Sequence, residues 1–166
     1  LGDDIPEHLV SRSNELIVSK AAANAGIGPK VIFHSKGILV LDYIESTTLS
    51  AEEVRKNIKS IIPIIKNIHN EIPKNLYGQS LIFWVFHVIR NYAKFLKDNQ
   101  STHLKILSDL ILKTELLEKN SSPYKIVFCH NDLLPAKFLD DGSRLWVIDW
   151  EYAGYNTPLF DLGGLS

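Results

Sequence analysis

Two aspartates and the polar residues around them are the part of this sequence best equipped for chemistry. His130-Asn131-Asp132-Leu133-Leu134-Pro135-Ala136-Lys137 follows one short apolar segment, and Val147-Ile148-Asp149-Trp150-Glu151 closes another. The pattern predicts that Asp132 and Asp149 leave two adjacent strands in a polar loop region. Phosphoryl transfer needs such an arrangement. One carboxylate accepts or orients the proton of an attacking hydroxyl. Another holds Mg²⁺ against nucleotide phosphates, whose charge must be neutralised in the transition state. Taken singly, either aspartate reads better as a turn or capping residue, and His130 alone reads as a structural histidine. Cys129 precedes His130, but neighbours on a strand point to opposite faces, so Cys129 reads as a buried structural thiol rather than a nucleophile.

The elements that must position these residues can be read along the chain. Residues 1–9 carry Gly, Asp and Pro and predict a lead-in. Ser11–Ala25 predicts a helix that Ser11 or Ser13 can cap, with Gly26 as its stop. Lys30–His34 and Ile38–Ile44, joined by Ser35-Lys36-Gly37, predict a hairpin. Ser50 and Glu53 form a capping-box pattern at the head of a helix running to about Ile72, with Pro63 kinking or dividing it. Leu81–Lys97 and Thr102–Lys119 predict two amphipathic helices, and Asn120–Pro123 a loop. Lys125–Cys129 predicts a strand. Phe138–Leu139 and Leu145–Ile148 predict a second hairpin around Asp140-Asp141-Gly142. His69, His87 and the cluster Phe83, Trp84, Phe86 sit at helical spacing and read as core or flank. Trp150 and Tyr152 could line a cation pocket or belong to the core.

Bulk properties narrow the partners. The chain has 166 residues, 45% hydrophobic and 22% charged, enough apolar material for a real core. A formal net charge of -1 gives no reason to propose nucleic acid or an anionic membrane. No apolar run approaches the roughly 18 residues of a membrane span, and no signal peptide is visible. A single cysteine fits a reducing, cytoplasmic setting. The lack of any methionine predicts a fragment.

The wording of the polar segment goes further. A His-x-Asp loop followed by an Asp on a later strand resembles the kinase catalytic loop and its metal aspartate. "HNDLLPA…F" with "IDWEYAGYNTPLFDLGGL" resembles the bacterial choline/ethanolamine kinase family, which shares its fold with the aminoglycoside phosphotransferases. Asn131 favours the choline-kinase side. The resemblance covers most of the chain, is specific over His130–Asp161, and is diffuse between Ser50 and Lys119. It implies an α+β, protein-kinase-like fold, with a partial small lobe at residues 1–45 and a helical catalytic lobe at 46–166. It implies ATP and Mg²⁺ as cofactors and a small amino alcohol, choline or ethanolamine, as phosphate acceptor. Asp132 would be the base, Asp149 the Mg²⁺ ligand and His130 the brace of the loop. Glu15 would pair with a nucleotide-lobe lysine, and Asp42 and Ile44 would present hinge backbone to adenine. Glu151 and Asp161 read as structural.

Three departures from the family follow. Lys137 stands where the family has a metal-binding Asn; an ammonium has three donors and no acceptor, so it cannot be a ligand while charged, but it could face the phosphates as a substitute cation. The family's phosphate-covering loop and lysine strand should lie before Leu1, and its later helices beyond Ser166. Exposed strand edges and apolar surface are therefore expected, with marginal stability, aggregation or pairing between two chains. The alternatives are a non-catalytic, degenerate kinase-like fragment, or an aminoglycoside, thiamine or sugar kinase of the same fold.

Overall fold

The computed structural model describes residues 2–121 and 125–165. A short 3-10 turn at Pro6–His8 leads into helix α1, Arg12–Asn24, which Ser11 caps by accepting the Asn14 amide. Gly26 follows at φ +72, a left-handed conformation that glycine adopts without cost. Strands β1, Val31–Ser35, and β2, Ile38–Leu41, pair antiparallel as the first hairpin, with Gly37 at φ +74 in its turn. Ile32, Phe33, Ile38 and Val40 of this hairpin are exposed.

The predicted helix from Ser50 is two helices, α2, Ala51–Lys56, and α3, Ile58–Asn70. The capping box of Ser50 and Glu53 is present. The division falls at Asn57, whose amide closes α2 on the Glu53 carbonyl while its own carbonyl accepts the Ser60 and Ile61 amides. Pro63 lies inside α3 without ending it. Ile61, Ile65, Ile68 and then Ile72 recur at the spacing of one helix face, and all four are buried. Fully burying each such side chain contributes about 1.5–3 kcal/mol. They meet Val18 and Ala22 of α1, Phe128, Phe138 and Val147 of the later strands, and Trp150 just beyond them in one core.

Leu81–Trp84 departs from its predicted helix. It is extended, because Ile82 bridges Tyr155 and the Tyr155 amide donates to the Leu81 carbonyl at 2.8 Å. Helix α4, Val85–Asp98, starts after it, and helix α5, Leu104–Asn120, packs against α4 through Glu118, which pairs with Arg90 of α4 and also accepts from Trp84 Nε1 at 2.9 Å. Of the loop predicted at Asn120–Pro123, Asn120 belongs to α5, and positions 122 and 123 lie outside the described residues, as does position 1 of the predicted lead-in.

The remaining strands are short. β3, Thr47–Thr48, joins β5, Phe138–Asp140, and β6, Leu145–Val147, in a three-stranded antiparallel sheet. β4, Val127–Cys129, pairs with β7, Gly154–Asn156. Helix α6, Pro158–Gly164, ends the described chain. At the β5–β6 turn, Asp141 accepts the Ser143 and Arg144 amides and Trp146 Nε1, which together hold its carboxyl well below the usual range. No described helix is long and apolar enough to cross a membrane.

Candidate active site

The loop after β4 is held from below by α6. Asp161, 1% exposed, accepts the backbone amides of His130 at 3.1 Å and Asn131 at 2.9 Å, and His69 Nε2 donates to the same carboxylate at 3.0 Å. His130 is fully buried. Its Nδ1 accepts the Asp132 amide at 3.3 Å, so the proton sits on Nε2 and is donated to the Ile148 carbonyl at 2.9 Å. Burial pushes the imidazole pKa down, which keeps this neutral tautomer at neutral pH. His130 thus ties the loop bearing Asp132 to the strand end bearing Asp149. Cys129 is buried beside His69, and burial pushes its thiol pKa up, as befits a structural residue.

Asn131 and Asp149 both stand in left-handed backbone, at φ +67 and +69. Such conformations are uncommon outside glycine and concentrate where a site demands them. Asn131 is fixed on three sides. Its Nδ2 donates to the Tyr152 carbonyl at 2.9 Å, its Oδ1 accepts Asn156 Nδ2 at 2.9 Å, and its amide goes to Asp161. The sequence singles out Asn131 only through the family resemblance and Asn156 not at all; their buried bond carries no local signal.

A 3-10 turn at Pro135–Lys137 folds the chain back, and the Ile148 amide donates to the Lys137 carbonyl at 3.1 Å. This rung sets Lys137 beside Asp149. The Lys137 ammonium hydrogen-bonds Asp149 Oδ2 and lies 3.2 Å from Asp132 Oδ2. Burial pulls the Lys137 pKa down, the two aspartates pull it up more strongly, and the net shift is upward. The ammonium is therefore charged between the two carboxylates.

Glu15, Asp42, Ile44 and Asp149 line one cleft of about 600 Å³, together with Tyr43, Leu139, Ile148 and Trp150. Glu15 is paired with Arg12 at 2.8 Å, and Arg12 reaches on to Glu151 at 3.0 Å. Burial raises the Glu15 pKa and Arg12 opposes it. On the wall of this cleft, the Asp42 amide is spent on the Lys30 carbonyl at 2.8 Å, and the Ile44 carbonyl accepts Ser46 Oγ at 3.0 Å. The Asp42 carbonyl and the Ile44 amide have no partner among the described residues. A second cleft, of about 430 Å³, opens on the other side of Asp132, between Asn131, Leu134, Leu159 and Phe160. Trp150 is 2% exposed and packs on His130, with ring centroids 4.6 Å apart, so it belongs to the core.

A cleft lined by Glu15, residues 42–44 and Asp149, a braced His-x-Asp loop and a second aspartate at the end of the next hairpin fit a protein-kinase-like phosphotransferase fold of the α+β class. The sequence profile described as choline/ethanolamine kinase matches residues 3–165, and the chain belongs to that family. Protein LicA of Haemophilus influenzae is 29% identical over 164 residues, covering 93% of this chain and 46% of LicA. Ethanolamine kinase 2 of Mus musculus is 30% identical over 175 residues, covering 95% of this chain and 43% of that protein. The crystal structure of a choline/ethanolamine kinase family protein from Mesorhizobium loti superposes with a TM-score of 0.76 at 30% identity, covering 95% of this chain and 54% of that one. The chain thus spans about half the length of the relatives it matches.

Proposed function

We propose that this chain carries the nucleotide cleft and catalytic loop of an ATP-dependent kinase for the hydroxyl of a small amino alcohol, choline first and ethanolamine second. The observation that carries this reading is the convergence of Glu15, Asp42, Ile44 and Asp149 on one cleft, with Asp132 linked to Asp149 through the Lys137 ammonium that contacts both. Adenine offers an amino donor beside a ring-nitrogen acceptor, and the Asp42 carbonyl and Ile44 amide supply the complement. Residues 1–45 form part of the nucleotide lobe in this reading, and 46–166 the catalytic lobe. The acceptor enters the second cleft, where Asp132 takes the proton of its hydroxyl. The loop's hydrogen bonds fix that carboxylate in place, so positioning supplies much of the rate.

Mg²⁺ requires oxygen ligands at about 2.1 Å in octahedral array. Lys137 offers donors only and already occupies Asp149 Oδ2. The side chains as they stand do not fit a divalent ion, and no step is assigned to one. That same contact favours a second reading, a kinase-like protein that binds nucleotide without turnover.

Calorimetric titration with ATP tests the cleft: binding is expected, and Ile44→Pro, which deletes the hinge amide, is expected to abolish it. Unchanged affinity in a folded Ile44→Pro protein would refute the hinge assignment. Phosphorylation of choline and ethanolamine, assayed with Asp132→Asn alongside, separates the two readings. Turnover that falls about 10²–10⁴-fold in the variant supports catalysis; none in the unaltered protein, with ATP bound, supports the second.

A further inference from the structure

We propose that Lys137 is the resident cation of this site, holding the place between Asp132 and Asp149 that a divalent ion would take, excluding that ion, and making nucleotide binding indifferent to Mg²⁺. The nucleotide part rests on the kinase reading above; the exclusion of metal does not.

The geometry carries the argument. The ammonium touches both aspartates at once, bonded to Asp149 Oδ2 and 3.2 Å from Asp132 Oδ2. It is not a roaming surface lysine: its side chain is 17% exposed, and its backbone is pinned by the Ile148 rung and by its own amide on the Leu134 carbonyl at 2.9 Å. A divalent ion drawn to these carboxylates would meet a fixed positive charge within contact distance, and that repulsion is poorly screened in a part-buried site. An ammonium has three N–H donors. The two carboxylates take two, which leaves one for a phosphate oxygen. The nearby guanidinium of Arg12 is committed to Glu15 and Glu151, so Lys137 is the cation placed to meet phosphate at the Asp149 end of the cleft.

The first test needs no nucleotide. Mn²⁺ binding is read by water-proton relaxation for the unaltered protein, Lys137→Asn and Lys137→Asn/Asp149→Ala, each shown folded by far-ultraviolet circular dichroism. Lys137→Gln replaces Lys137→Asn if the shorter side chain fails to fold. The expected result is at least tenfold tighter Mn²⁺ binding when Lys137 is replaced, lost again without Asp149. Equal, Asp149-dependent Mn²⁺ binding by the unaltered protein overturns the proposal. So does a folded Lys137 variant that binds no Mn²⁺, because the lysine would then not be what keeps the ion out. ATP affinity is next compared in EDTA and in excess Mg²⁺. A ratio near one for the unaltered protein, against a preference for Mg²⁺ of tenfold or more in Lys137→Asn, supports the second half. A Mg²⁺ requirement in the unaltered protein overturns it. Absence of ATP binding in every protein and condition sinks the kinase reading instead, while the Mn²⁺ comparison still decides the role of Lys137.

Discussion

The carboxylate of Asp161 accepts the backbone amide of Asn131 at 2.9 Å and thereby holds a residue in left-handed backbone one step before Asp132. With the His130 amide and His69 on the same carboxylate, the buried group is fully engaged. Asp161→Asn turns one acceptor into a donor facing other donors. The expected cost is about 2–3 kcal/mol, or a Tm lower by roughly 4–12 °C. A thermal melt that does not move would show that the loop is held by something else.

Arg12 lies between Glu15 and Glu151, and its removal leaves two carboxylates facing a cleft with no cation between them. Arg12→Ala should cost about 2 kcal/mol at pH 7.5, at the low end for a broken ion pair because Glu151 is partly solvated. The loss should shrink toward pH 5. Burial already raises the Glu15 pKa, and without Arg12 it rises further. A carboxyl whose folded pKa exceeds its unfolded value binds more protons when folded, so its stability contribution falls as pH rises through that window. Urea unfolding at the two pH values measures the difference, and an equal loss at both would contradict the pairing.

His130 is buried neutral with a lowered pKa. The unfolded imidazole takes up a proton near pH 6.5 and the folded one resists, so stability is present above about pH 6.5 and is lost as pH falls below it. Glu15 acts in the opposite sense, so the comparison must be differential. His130→Gln, which keeps a donor for the Ile148 carbonyl, should lower stability at pH 7.5 but flatten its decline between pH 6.5 and 5. Parallel pH profiles for the two proteins would exclude His130 as the source.

Gly154 sits opposite Cys129 in the β4–β7 pair, and a Cβ placed on it would lie 2.5 Å from the Leu81 carbonyl oxygen. That neighbour is backbone, tied by its bond to the Tyr155 amide. Gly154→Ala should therefore cost about 1–3 kcal/mol through displacement of residues 81–83. Chemical denaturation measures it, and a neutral result would mean that the crossing segment yields freely.

The sequence reveals elements whose causes are local. Ser11, the Ser50–Glu53 box, and the glycines at 26, 37 and 142 mark helix starts, a stop and two turns within a few residues of where they act. Structure made by distant pairing leaves no such mark. Thr47–Thr48 is a strand only because Leu139 and Asp140 lie beside it, and Gly154–Asn156 only because of Val127–Cys129. Leu81–Trp84 has the apolar content of a helix end, yet its pairing with Tyr155 overrides that preference. Pro63 is the loudest helix breaker in its segment, but the break needs the backbone of Asn57 instead. In the site, His130, Asp132 and Asp149 stand out because a His-x-Asp loop followed by a later strand-end Asp resembles the kinase catalytic loop. The Arg12–Glu151 pair joins residues 139 positions apart and is invisible without the fold.

The three small sheets bear on the order in which the protein takes shape. Two of them join segments far apart in the chain, 47–48 with 139–140 and 127–129 with 154–156, and the crossing at 81–83 also waits for Tyr155. During synthesis, α1 and the first hairpin can form while still tethered to the ribosome. The loop bearing Asp132 cannot: the carboxylate of Asp161 beneath it, Asn156 beside it and the strand β7 that flanks it are all encoded after it. Contacts of this kind fold slowly because the intervening chain must be closed first. The two aspartates are therefore brought together around Lys137 only once residues 152–161 have been made.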